Sequence, residues 1–417
     1  MDVELVTIGD ELLLGYTIDT NAAFFAREAA ALGVRVVRRA TVGDGAEQIA
    51  AGVREALDRT GAVITSGGLG PTADDLTKAS IAALFGRGMY RDDAIVDSLR
   101  ARWKARGWPG ELPKANEMQA MIPEGATILE NRHGSAPGIW LDDDRGRWVA
   151  MLPGVPREFR GMTKDTLLPR LVARGAGGTV IRSRTLRTTG IAESAVADAL
   201  AEHAKDPMGV SLAYLPGWEG VDLRLTVRNV EPSLADTQLA AAAEVVRGKV
   251  GRWVYGEDEA DLAVLVLEAL RARGMRLVVA ESCTGGMLGM RLTAIPGSSD
   301  VVLGGVIAYA NEVKVAQLGV QDATLRAHGA VSEETAREMA QGARTRLGAE
   351  VAVSITGIAG PGGGTPEKPV GSYCVAVDVG GTVTSFRTAS VGDRHEVRQR
   401  ATQAALSLVR KALGDGA

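Results

Sequence analysis

Three stretches in the last third of the chain carry the polar residues best suited to chemistry: AESCTGG from Ala280, YANEVK from Tyr309 and SITGIAGPGGG from Ser354. A serine hydroxyl becomes an acyl-transfer nucleophile only when a base takes its proton. The four histidines, His133, His203, His328 and His395, stand at none of these places, so Lys314 is the candidate base for Ser282. In the first turn of a helix and partly enclosed, a lysine is pushed toward the neutral amine by burial and by the positive helix end. Tyr309 is expected to relay the proton or hold the lysine, Thr356 to hydrogen-bond the same group, and Asn311 to cap the helix. Helix-start amides around Thr284, Gly285 and Gly286 suit developing negative charge. Cys283 is a rival nucleophile, but it needs a partner to lower its thiol pKa and, as second residue of the turn, it points inward.

The glycine loop from Gly357 to Gly364, with Gly360 and Gly362, offers backbone amides to a phosphate. Arg394 and Arg398, in GDRHEVR, are candidates to complete the charge pairing. Each residue has a bland reading: Ser282 and Thr284 as helix caps, Lys314 as a solvated charge, the loop as a flexible turn, the arginines as surface ion pairs. Joint placement at three strand ends favours catalysis, because ligands in open α/β sheets bind beyond the carboxyl ends of strands.

A second constellation lies in the first third. Asp10 and Glu11 follow the first strand, Asp44 the second and GGLGPTADDLT the third. Gly67, Gly68 and Gly70 let the backbone approach a phosphate, and Thr72 is expected to cap the next helix. Asp44 and Asp75 first, then Asp10 and Glu11, are candidate ligands for magnesium or another divalent cation bridging carboxylate and diphosphate oxygens. An acid-rich helix start explains one acid, but the five at this edge, Asp74 included, strain that explanation.

The elements that position these residues read as α/β. Strands are expected at Glu4 to Ile8, Val34 to Val42 and Ala62 to Thr65, with helices at Asn21 to Leu32 and Ala46 to Arg59, a βαβ rhythm that predicts a parallel sheet. A helix from about Asp74, a polar stretch near Arg102 to Pro113 and strands at Ile139 to Leu141 and Trp148 to Leu152 complete the region. From Thr179 to about Val254 short strands surround two helical stretches, a small α+β unit. Alternation resumes from Asp261, with strands at Met275 to Ala280, Val301 to Ala308 and Glu350 to Ile355. The expected architecture is two three-layer α/β/α domains, 1–170 and 257–417, joined by an α+β domain at 171–256.

With 417 residues, 46% hydrophobic and 24% charged, the chain has the composition of a multidomain globular enzyme. A net charge of −4 without a dominant basic cluster argues against nucleic acid as the main partner. The acidic start MDVELVTIGDE lacks the pattern of a signal peptide, and two distant cysteines, Cys283 and Cys374, form no metal spacing. A cytoplasmic location is expected.

AESCTGG, YANEVK and GIAGPGGGTPEKPVG together resemble the CinA family, named for competence and damage inducibility, and the resemblance runs over the whole chain. It implies hydrolysis of nicotinamide mononucleotide to nicotinate mononucleotide and ammonia, with Ser282, Lys314 and Tyr309 at the family's serine, lysine and tyrosine and no cofactor. The family pattern often reads YSN where this chain has Ala310. GGLGPTADDLT, NRHGSAPG and LPGVPREF are similar to the family's N-terminal domain, which shares the molybdopterin-binding fold and is associated with metal-dependent hydrolysis of ADP-ribose. Arg132, His133 and Phe159 depart from the commoner pattern. The resemblance also implies a homodimer. Two other readings compete: a pterin binder or nucleotidyl transferase on the same fold, and an interaction protein acting in DNA uptake.

Overall fold

The computed structural model describes residues 1–201 and 209–414, so His203 falls outside the described residues. The chain divides into two compact units, Met1–Arg182 with Val227–Thr237, and Ser183–Thr226 with Gln238–Ala417.

The first unit is organised by a six-stranded sheet in the order Arg35–Val42, Asp2–Ile8, Ala62–Ser66, Trp148–Leu152, Gly138–Asp142, Thr127–Leu129. The first four strands run parallel, as the βαβ rhythm predicts. The last two pairings are antiparallel. The physical reason is the connection: Gly138–Asp142 and Trp148–Leu152 are joined by a tight turn whose Asp143 carboxylate accepts from the amides of Arg145 and Arg147, and parallel strands need a far longer crossover. Alternation sends Val3 and Leu5 to one face, against Phe25, Trp140 and Phe159. Val6 and Ile8 go to the other, against Ile49, Val53 and Ile81. Both faces are therefore covered, which makes three layers.

A four-stranded sheet follows, in the order Ser211–Pro216, Val221–Val230, Val180–Thr188, Val254–Glu257. The third sheet runs Val302–Ile307, Leu277–Glu281, Val351–Gly357, Ser372–Val379, Thr382–Ala389. Its first three strands are parallel and its last two antiparallel. Val279 packs with Leu267, Val353 and Ala405 on one face, while Val278 and Ala280 pack with Leu318 and Met339 on the other. Register aligns Glu281 with both Ile307 and Ile355. The three expected site segments therefore leave the sheet side by side.

Candidate active site

Ser282 is the first residue beyond the strand Leu277–Glu281, and its amide donates to the Ile355 carbonyl at 2.9 Å. The backbone then turns through Gly285 and Gly286, with φ of 57° and 94°, a left-handed path open to glycine. The helix Met287–Thr293 starts there. Its start is braced from behind by a residue that sequence reasoning missed. Glu281 is buried, and its carboxylate accepts from the amides of Gly286 at 3.1 Å, Leu288 at 3.1 Å and Gly289 at 2.8 Å.

That brace corrects one expectation. The Gly286 amide is occupied by Glu281, and the Gly285 amide donates to the Ser282 carbonyl. The Thr284 carbonyl accepts from Arg398 Nε at 3.2 Å and Nη2 at 2.6 Å. Thr284, Gly285 and Gly286 shape the nucleophile's turn; none of them lines the cavity beside Ser282. Arg398, expected to meet an anion, holds this turn in place.

Lys314 lies in the helix Asn311–Leu318 and is 1% exposed. Its Nζ stands 3.1 Å from Ser282 Oγ, 2.8 Å from the Ala308 carbonyl and 3.3 Å from the Tyr309 carbonyl. Burial lowers its pKa below the ordinary lysine value. In its neutral form the amine has two hydrogens and one lone pair; the two carbonyls can only accept, so in that form they take the hydrogens and the lone pair faces the serine hydroxyl.

Three expected partners fall elsewhere. Thr356 donates to the Ala330 carbonyl at 2.7 Å and not to the lysine. The Tyr309 phenol accepts from Arg394 Nη2 at 2.8 Å, so only its backbone holds the lysine. Asn311 is the first helical residue, preceded by Ala310 at the cap position with no side-chain cap, because alanine has no acceptor to offer. Cys283 is buried and its thiol is pushed up to about 12 by desolvation, which leaves it protonated and a poor competitor.

Ser282, Lys314, Tyr309, Thr356 and Arg394 line one cavity of about 300 Å³, with Gly357, Gly360 and Gly362 in its wall. Arg394 opens the helix Arg394–Ala412, whose start is fixed by a reciprocal cap between Asp393 and Glu396. Its Nη1 donates to the Gly360 carbonyl at 2.7 Å, tying the glycine loop to the helix start. Ser282, Lys314 and a cationic glycine-lined wall thus share one space.

In the first unit a cavity of about 550 Å³ is lined by Glu11, Asp44, Asp75 and the glycines Gly67, Gly68 and Gly70. A Cβ on Gly67 would meet the Ile8 carbonyl at 2.4 Å, and one on Gly68 would meet Thr77 Oγ1 at 2.1 Å. Close packing against the sheet demands these glycines. Asp75 accepts from the Gly70 amide at 2.7 Å, the Thr72 amide at 2.8 Å and Thr72 Oγ1 at 2.5 Å. Thr72 therefore closes its own loop, and the following helix begins at Thr77. Asp44 accepts from the Asp10 amide at 2.9 Å.

Asp10, Glu11, Asp44 and Asp75 do not converge as a metal cage. Among the described residues no three His, Cys, Asp or Glu side chains are grouped closely enough to hold an ion. Asp75 is engaged by its loop, and Asp10 does not line the cavity. Lys78, which sequence reasoning passed over, is buried beside this loop. It donates to the Met118 and Gln119 carbonyls at 2.6 and 3.2 Å, and desolvation brings its pKa down to about 8. No helix among the described residues is long and apolar enough to cross a membrane.

Comparison with known proteins divides the chain three ways. Residues 4–173 match the family described as "Probable molybdopterin binding domain", residues 183–256 the "Damage-inducible protein CinA KH domain" and residues 259–413 the "CinA C-terminal domain". A CinA-like protein of Gemmatimonas aurantiaca is 63% identical over 413 residues, covering 99% of this chain and 96% of the relative. A CinA-like protein of Chlorobaculum tepidum is 41% identical over 415 residues, covering 97% of each. Among solved structures, the competence/damage inducible protein CihA from Agrobacterium tumefaciens is 42% identical, with a TM-score of 0.36, over 37% of this chain and 93% of that one.

Proposed function

The chain belongs to the CinA family, and on that footing we propose that its second unit is a serine amidase that converts nicotinamide mononucleotide to nicotinate mononucleotide and ammonia. The observation that carries the reading is the Ser282–Lys314 contact of 3.1 Å, with the other two positions of the amine facing carbonyls. Ser282 Oγ attacks the carboxamide carbon while its proton passes to Lys314 Nζ. The tetrahedral adduct collapses as Lys314 returns that proton to the leaving nitrogen, releasing ammonia and an acyl-serine ester. Water then attacks the ester, again giving its proton to Lys314, and nicotinate mononucleotide leaves as Ser282 is reprotonated. Arg394 and the glycine wall are the seat for the substrate phosphate.

The test is ammonia release by wild type, Ser282→Ala, Lys314→Ala and Cys283→Ala, each checked for folding by circular dichroism. The expected outcome is turnover by wild type and Cys283→Ala alone. Full turnover by Ser282→Ala would end the proposal.

For the first unit we propose hydrolysis of ADP-ribose to AMP and ribose phosphate, with water adding across the diphosphate. Carboxylate oxygens suit a hard cation. Because no all-protein cage is grouped among the described residues, the ion would be held by Asp44 and Glu11 jointly with substrate phosphates, as magnesium commonly is. When bound, it would neutralise and polarise the diphosphate. AMP release that requires a divalent metal and falls in Asp44→Asn supports this; activity unchanged by chelation counts against it. A homodimer working in the cytoplasm on small nucleotides completes the proposal.

A further inference from the structure

The cavity of the first unit has a second kind of wall that the hydrolytic reading leaves unused. The helix Asp93–Ala105 and the segment after it bring Trp103, Arg106 and Trp108 to its lining. The two indoles meet edge to face, with centroids 4.4 Å apart and planes at 71°. The Arg106 guanidinium carbon lies 5.1 Å from the Trp108 ring centre. Trp108 is nonetheless 46% exposed. The Trp103 indole N–H is buried with no acceptor among the described residues, although buried indoles usually find one.

An indole held upright by a second indole, flanked by a guanidinium and left open to a cavity, is a surface for a flat heteroaromatic ring. The same cavity carries the turn of Gly67, Gly68 and Gly70, which lets backbone approach a phosphate. At about 550 Å³ it has room for a nucleotide. The helix is tied to the neighbouring NRHGSAPG segment: Arg102 donates to the Asn131 carbonyl at 3.0 Å and also to the Gly134 carbonyl. The aromatic wall is therefore anchored at its base and exposed at its tip.

We propose that Trp108, supported by Trp103 and Arg106, is the seat of a purine base, and that this stack gives the first unit its preference for adenine nucleotides over sugar phosphates. The proposal rests on the reading of this cavity as a nucleotide site, but not on any hydrolysis there. A base stacked on one tryptophan contributes roughly a 5- to 100-fold gain in affinity.

The experiment measures binding of AMP, ribose 5-phosphate and a phosphorylated pterin to the full chain by isothermal titration calorimetry, for wild type, Trp108→Ala and Trp108→Phe. The expected result is tight AMP binding by wild type, a loss of 5- to 100-fold in Trp108→Ala, near-complete recovery in Trp108→Phe, and ribose 5-phosphate affinity that Trp108→Ala does not change. Circular dichroism establishes that each variant is folded. Equal AMP affinity in wild type and Trp108→Ala overturns the seat, as does binding of the pterin in place of AMP. Steady-state assays with ADP-ribose separate the two ideas: a Trp108-dependent AMP site without hydrolysis sinks the hydrolase reading alone. Hydrolysis with a KM unmoved by Trp108→Ala sinks the seat alone.

Discussion

The turn after Glu281 and the loop after Ser66 begin alike and end differently. Each follows a buried parallel strand, each is rich in glycine, and each is held by one carboxylate that accepts backbone amides: Glu281 in the first, Asp75 in the second. Beside Glu281 the chain delivers a complete pair, Ser282 with Lys314, from two different strand ends. Beside Asp75 it delivers glycines and scattered acids that do not converge. Protein groups alone can assemble a nucleophile with its base, because both partners are side chains. A phosphate and cation site needs the ligand itself to supply the remaining oxygens. On the proposed reading, the first region is finished before substrate arrives and the second is finished by it.

The largest effect that would break this comparison comes from Glu281. Glu281→Ala leaves three helix-start amides without their buried acceptor, so it should destabilise the chain by about 2–4 kcal/mol and lower amidase kcat by roughly 10- to 100-fold through a loosened Ser282 turn. Urea denaturation and steady-state kinetics check both; a stable, fully active variant would show that the turn does not depend on its brace.

Lys78 gives the next effect, and its sign can be worked out. The folded pKa is near 8 against an ordinary 10.5, so between those values the unfolded chain binds more protons and stability rises with pH. From pH 8 to 10 wild type should gain on the order of 2 kcal/mol relative to Lys78→Met. Parallel denaturation curves at the two pH values would contradict it.

Asp75→Asn should cost about 1 kcal/mol and leave ammonia release unchanged, since its contacts end within its own loop. The smallest effect is Tyr309→Phe. Its phenol meets Arg394 and not the lysine, so KM should rise a few-fold while the pH profile of kcat keeps its shape. That profile should climb with pH through the lowered Lys314 pKa, because only the neutral amine takes a proton. A limb displaced by Tyr309→Phe would return the phenol to the proton path.

The meeting of Ser282 with Lys314 was legible in the sequence because strand rhythm announces where each strand ends, and a serine and a lysine fell just beyond two of those ends. Thr356 was legible as a cavity residue but not in its partner, since the Ala330 carbonyl arrives from 26 residues away and no local pattern marks it. Glu281 carries no local mark of its role, which depends on the helix folding back over it. The strands Ser372–Val379 and Thr382–Ala389 were missed although Gly380 and Gly381 between two β-prone runs are a hairpin signal. Trp103 and Trp108 fell in what read as a polar stretch, because side chains on a helix and the loop after it meet only once both are folded.

The enclosure of Lys314 also bears on covalent chemistry from outside. At 1% exposure the amine is out of reach of reagents that modify surface lysines, while on the proposed mechanism its lone pair raises the reactivity of the hydroxyl it faces. A small carbamoylating probe entering the cavity would therefore be captured as an ester on Ser282. Lys314 would remain unlabelled while steering the label, and peptide mapping would reveal the lysine's presence only through the serine it activates.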